Sequence, residues 1–118
     1  MNTLGEAYET LACTHLQSAG LSLLSRNFST RFGELDLVMR DRNVLVFVEV
    51  RYRARTRFGS GAESITAAKR ARLATAAEQF RQAHPRLSAL PCRFDVVAMT
   101  GDAKAPQIDW LRNAFDSQ

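Results

Sequence analysis

The spacing of hydrophobic and polar positions changes rhythm several times along this chain. From Thr3 to Ala19 apolar residues recur at helical spacing, with Leu4, Tyr8, Leu11, His15 and Ala19 on one stripe. Glu9, Ala12, Cys13 and Leu16 form an adjoining stripe, and Gly20 supplies a C-terminal stop. Glu9 thus falls at the margin of the predicted buried face, where a carboxylate can lean toward a sheet; taken alone it reads first as a solvated early-turn acid that complements the helix dipole. Leu21 to Phe28 predicts a first strand, less cleanly patterned than its successors, and Ser29, Thr30 and Arg31 a short connection. Glu34 to Met39 alternates polar and apolar, as a half-buried strand does. Val44 to Tyr52 then reads VLVFVEVRY, apolar on both faces until near its end, which predicts a central buried strand.

Beyond Tyr52 the pattern loosens. Arg53 to Gly61, RARTRFGSG, reads as a polar loop with no nucleotide-cradling glycine motif. Thr66 to Ala83 predicts a second helix with a narrow apolar stripe of Leu73, Ala76, Phe80 and Ala83, preceded by Ile65. Ser64 or Thr66 serves as its cap, and Pro85 lies just beyond its end. Arg93 to Met99, RFDVVAM, predicts a further strand whose one acid, Asp95, is expected to pair with an arginine. Gln107 to Leu111 reads as a short edge strand carrying Trp110 as an anchor, followed by a brief tail.

Two of these runs make a hairpin. If the turn is centred between Arg42 and Asn43, Asp36 lies opposite Glu49 and Glu34 opposite Arg51, with opposed Cβ atoms about 5 Å apart. Arginine is a poor first central residue for a type I′ turn, so a longer loop with the same centre stays open. A one-residue slip would put the acids out of register. On the favoured register two carboxylates and a cation share one face. A carboxylate in an apolar run is costly unless it is paired or binds a cation, and one or two carboxylates are what a protein usually offers Mg²⁺.

The 118 residues favour one compact domain, 1–118, and 46% hydrophobic residues suffice for a real core. No apolar run approaches a membrane span, and the N-terminus lacks a basic region and an apolar signal core, so a cytoplasmic location is expected. Cys13 and Cys92 form no CxxC pair and are expected to be free thiols; His15 and His84 stand isolated from other ligands. The net charge of +4 is unevenly spread. Between Arg51 and Arg72 lie seven cations, Arg51, Arg53, Arg55, Arg57, Lys69, Arg70 and Arg72, against the single acid Glu63. Cations in the first turns of a helix oppose its dipole, a local cost that phosphate binding would offset, although a merely solvated basic face is the equal alternative. A basic stretch directly after a buried acidic pair points to a polyanion, with nucleic acid the first candidate.

In order along the chain stand Gly5-x-x-x-Glu9, GELDLV from Gly33, FVEVR from Phe47, TAAKR from Thr66 and RFDVV from Arg93. Together these resemble the YraN family of small bacterial proteins over nearly the whole chain. That family is similar to archaeal Holliday-junction resolvases and to PD-(D/E)xK restriction-endonuclease-like nucleases. The resemblance implies an α/β restriction-endonuclease-like core of order αβββαβ, a central mixed sheet flanked by helices. It implies that Asp36 and Glu49 hold Mg²⁺ or Mn²⁺ with the Val50 backbone carbonyl, and that Glu9 orients water or a second metal. Arg51 stands where the nuclease motif has lysine. Arginine cannot act as a general base near neutrality, though it can hold phosphate; Lys69 is the lysine nearest to substitute. Arg53, Arg55, Arg57, Lys69, Arg70 and Arg72 become nucleic-acid contacts, and resolvases suggest a homodimer by analogy.

Three readings follow. The first is a metal-dependent endonuclease acting on nucleic acid, DNA foremost. The second is a nucleic-acid-binding module of the same fold without chemistry. The third is a protein-interaction scaffold in which Asp36 and Glu49 pair with arginines.

Overall fold

The computed structural model describes residues 3–53, 65–102 and 104–115. Its elements are α1 (Thr3–Ser18), β1 (Ser22–Thr30), β2 (Gly33–Asp41), β3 (Val44–Arg53), α2 (Ala67–Ala83), β4 (Cys92–Thr100) and β5 (Gln107–Phe115). The strands form one five-stranded sheet in the order β1-β2-β3-β4-β5. Neighbours are antiparallel except β3 and β4, which run parallel and are joined through α2. This is a mixed α/β sheet with a helix on each face, the arrangement of a restriction-endonuclease-like core. The expected αβββαβ order is present, and a full strand, β5, follows it where a short edge strand and a tail were expected.

The sheet separates two apolar clusters. On one face α1 contributes Tyr8, Ala12, Cys13 and Leu16, which pack on Leu37, Met39, Val46, Val48, Val97 and Met99. On the other, Leu73, Ala76, Ala77 and Phe80 of α2 pack on Leu35, Val38, Leu45, Phe47 and Phe94. Each fully buried Leu or Phe side chain contributes about 1.5–3 kcal/mol. Consecutive β3 residues serve opposite clusters, which is why that strand is apolar throughout.

The buried face of α1 is the stripe beside the one expected: Leu4, Leu11 and His15 are exposed, while Tyr8 belongs to the core. Both stripes are apolar, so periodicity alone did not orient the helix. Its end is a Schellman closure, with Gly20 at φ 102° and amides of Gly20 and Leu21 donating to the carbonyls of Gln17 and Leu16. Helix α2 is capped by Thr66, whose hydroxyl accepts the Lys69 amide at 3.1 Å. Ser29 and Thr30 belong to β1 rather than to a connection, so the first turn is Arg31–Phe32. Cys13 and Cys92 are free thiols.

Candidate functional site

The β2–β3 hairpin turns between Arg42 and Asn43, and Asp41 pairs with Val44. Arg42 accommodates the tight loop with φ 57°, its carbonyl accepting from Arg40 Nε at 2.7 Å. The ladder then runs as far as Leu37–Val48 and stops. The next position on β2 is Asp36. Leu35 packs against the α2 cluster whereas Leu37 and Met39 pack against the α1 cluster, so β2 turns over at Asp36. On its other side Asn27, bracketed by the pairs Arg26–Leu37 and Phe28–Leu35, has φ 53°. Strands β1 and β2 thus change face at one level.

This kink sets the site. Asp36 lines a cavity beneath α1 with Glu9, Tyr8, Val50 and Tyr52. Its Oδ2 accepts the Val50 amide at 2.9 Å, filling the place that a continued ladder would give to a backbone carbonyl. Carboxylate oxygens of Glu9, Glu34 and Asp36 lie within 4.8 Å of one another. Glu49, on β3, is buried on the α2 side, where Oε2 meets Lys69 Nζ at 3.3 Å and Arg51 Nη1 at 3.6 Å. Asp36 and Glu49 are therefore neighbours across the opening between the strands, instead of sharing a face by simple parity. The expected pairing of Glu34 with Arg51 does not form: Glu34 lies opposite Ser29 and accepts its hydroxyl at 3.3 Å.

The electrostatics follow from that crowding. Burial first, then the Glu49 charge, pushes the Asp36 carboxyl up to about 8. The Val50 amide opposes the shift, while hydrogen bonding with Glu49 and the charge of Glu9 add to it. Glu9 meets Arg26 Nη2 at 3.6 Å, yet its Oε1 is buried without a hydrogen-bond partner. An acid held protonated by burial and by neighbouring acids, beside a carboxylate oxygen with a distant ion pair but no hydrogen bond, marks a cluster with more negative than positive charge. Its donors are hard oxygens, which suit Mg²⁺ or Mn²⁺.

Of the residues singled out in the sequence, Glu9 and Asp36 come together with Glu34, and Glu49 adjoins them while holding Arg51 and Lys69. Val50 enters through its amide. Arg53 is exposed at the end of β3, and Arg70 and Arg72 are exposed on the first turns of α2. Arg55 and Arg57 lie outside the described residues. Sequence reasoning missed Arg26, which also donates to the Glu6 carbonyl at 3.3 Å, and the stacked pair Tyr8–Tyr52, with centroids 4.1 Å apart. Arg26 had no signal in its weakly patterned strand. Tyr52, the aromatic that follows Glu49 and Arg51 on β3, offered a slight one.

Asp95 belongs elsewhere. It is fully buried and accepts from Arg93 Nε at 3.0 Å, Trp110 Nε1 at 2.9 Å and the Asn113 amide at 2.9 Å. It is the arginine-paired structural acid that the sequence suggested, and it fixes β5 to β4.

Comparison with known proteins adds kinship to this geometry. The model of the uncharacterised protein family UPF0102 matches residues 8–99, a span that holds every acid of the cluster. A UPF0102 protein of Stutzerimonas stutzeri (strain A1501) is 52% identical over 113 residues, covering 96% of this chain and 94% of that protein. A UPF0102 protein of Nitrosococcus oceani is 52% identical over 111 residues, covering 94% and 90%. One from Xanthomonas campestris pv. campestris (strain B100) is 54% identical over 111 residues, covering 94% and 89%.

Proposed function

The chain belongs to the uncharacterised protein family UPF0102, and on that premise we propose that it binds nucleic acid, DNA foremost, and acts as a metal-dependent endonuclease. The observation that carries this is Asp36: a half-buried carboxyl pushed up to about 8, in reach of Glu9, Glu34 and Glu49, in a cluster whose four acids outnumber the cations paired with them, Arg26, Arg51 and Lys69. Such a site costs stability and is relieved when a divalent ion displaces the proton. Asp36, Glu9 and Glu34 would hold Mg²⁺ or Mn²⁺, with Glu49 and the Val50 carbonyl beside them. A cation there supplies Lewis-acid activation of water and neutralises charge at the scissile phosphate.

The chain's own groups do the rest. Lys69 and Arg51 orient Glu49 from two elements and present positive charge where a phosphate approaches. Arg53, Arg70 and Arg72 continue that charge over the exposed surface as backbone contacts. A second reading draws on one observation, the double ion pair on Glu49. If it persists with nucleic acid bound, Glu49 is occupied by cations and the domain is a binding module without turnover.

A panel of labelled linear, branched and single-stranded DNA and RNA, with Mg²⁺, Mn²⁺ or EDTA, tests the proposal beside Asp36→Ala. The expected result is cleavage that requires metal and disappears in the variant while binding remains. Binding without metal-dependent cleavage of any substrate supports the module instead. Absence of salt-dependent binding leaves the scaffold reading.

A further inference from the structure

The uncharged wall of the site bears on the form of the substrate. The cavity beside Asp36 and Glu9 measures about 260 Å³, and the rest of its lining, Leu4, Gly5, Tyr8, Val50 and Tyr52, carries no charge. Leu4 is 56% exposed at the rim, the most exposed large apolar residue among those described. Tyr8 and Tyr52 stack with planes 13° apart, and the Tyr52 hydroxyl donates to the Gly101 carbonyl. The anchored, half-buried Tyr52 ring, backed by the buried Tyr8 ring, and a solvent-facing leucine thus adjoin a carboxylate cluster.

The phosphates of a nucleic-acid backbone gain nothing from such a wall, because they are charged and strongly hydrated, and a deoxyribose offers it little flat apolar area. A nucleobase does gain, since its faces are apolar and pack on leucine and tyrosine. In continuous duplex those faces are covered by neighbouring base pairs. A base reaches this wall only when it leaves the stack, which costs least in a strand that is already unpaired. We infer that the cavity takes the base of an unpaired nucleotide whose phosphate lies at the carboxylates, so that the substrate is single-stranded or locally unpaired. The inference rests on the nuclease reading for its phosphate, but the base contact is measurable by binding alone.

The test compares three labelled DNA probes at fixed salt, in EDTA and in Ca²⁺: a single strand, an abasic strand of the same length, and the duplex. The abasic strand has the same charge and no bases. The wild type is expected to bind the single strand roughly tenfold more tightly than the abasic strand or the duplex. Leu4→Ser, at an exposed position that leaves the core intact, should bring the ratio to the abasic strand severalfold closer to one, with the salt dependence unchanged. Tyr52→Leu should do the same more strongly. A wild-type ratio of one overturns the inference, and so does a ratio untouched by Leu4→Ser. The outcomes separate the two claims. A base-dependent ratio with no cleavage under any metal sinks the nuclease reading and keeps the pocket. Metal-dependent cleavage with equal affinity for base-bearing and abasic strands does the reverse.

Discussion

Asp95 is fully buried and Asp36 half-buried in strands of one sheet, and they live under opposite conditions. Asp95 receives an arginine, an indole N–H and a backbone amide. Arg93 reaches on to Asp41 at 3.1 Å. Burial alone would lower the Arg93 guanidinium, but the hydrogen bonds and charges of Asp95 and Asp41 reverse this and hold it above its ordinary value. Asp36 has one amide and a ring of acids. Burial is thus no guide to role by itself. A buried acid supplied with donors holds a fold together, whereas one left among other acids keeps a proton that a bound cation would displace.

The comparison breaks first at Asp95. Removing one member of a buried, hydrogen-bonded ion pair costs about 3–5 kcal/mol. Asp95→Ala should lower stability in urea melts by that amount, because Arg93 loses its counter-charge and β5 loses the Trp110 and Asn113 anchors. A loss below about 1 kcal/mol would show that the acid does not lock the edge strand. Asp36→Ala should behave in the opposite sense. Cleavage should fall by on the order of 10²-fold or more, while the fold survives because no comparable set of donors is orphaned. Equal cleavage by this variant and the wild type would remove Asp36 from the chemistry.

The two acids also differ in what pH and metal do. Asp36 ionises near 8 in the folded chain and near 3.9 when unfolded. Without metal, the folded state holds the extra proton between those values, so the Asp36 contribution to stability falls as pH rises from about 4 to about 8 and then levels. Asp36→Asn, which cannot ionise, should flatten that part of the profile and melt at least about 4 °C above the wild type at pH 8.5, the equivalent of roughly 1 kcal/mol. Mn²⁺ or Mg²⁺ should raise the wild-type melting temperature at pH 7.5 and leave Asp36→Asn nearly unmoved. A wild-type profile without that slope would mean that the carboxylates are not crowded in solution.

Much of this was legible in the residues, and the rest was hidden for identifiable reasons. Val-rich β3, the Arg42–Asn43 turn centre and the cap before α2 follow from local chemistry that tertiary contacts did not override. The pairing of Asp95 with arginine was legible because Arg93 sits two residues away on the same strand face. What escaped was the turnover of β2 at Asp36. Parity assumes an unbroken strand, and the left-handed Asn27 opposite it leaves no hydrophobic signature. The same break brought Glu34 toward Glu9 instead of Arg51. The choice between two apolar stripes on α1 was invisible because it depends on which side of the helix meets the sheet.

The smallest effect concerns the cations that the acid cluster does have. Lys69 and Arg51 approach Glu49 from different elements, at 3.3 and 3.6 Å. Lys69 has a 37% exposed side chain, so neither pair should count for much in stability. Their contribution should appear in cleavage. Arg51→Lys keeps a cation at β3 and should retain most activity, although lysine lacks the planar fork. Arg51→Ala and Lys69→Met should each reduce cleavage by about tenfold, a modest share of the effect that one electrostatic stabiliser commonly has. Because both act through one carboxylate, the double variant should lose less than the product of the single losses. Strict additivity would mean that they serve separate parts of the substrate, and that Glu49 is merely where their side chains rest. Retention of full activity by Lys69→Met alone would leave Arg51 as the group that positions Glu49.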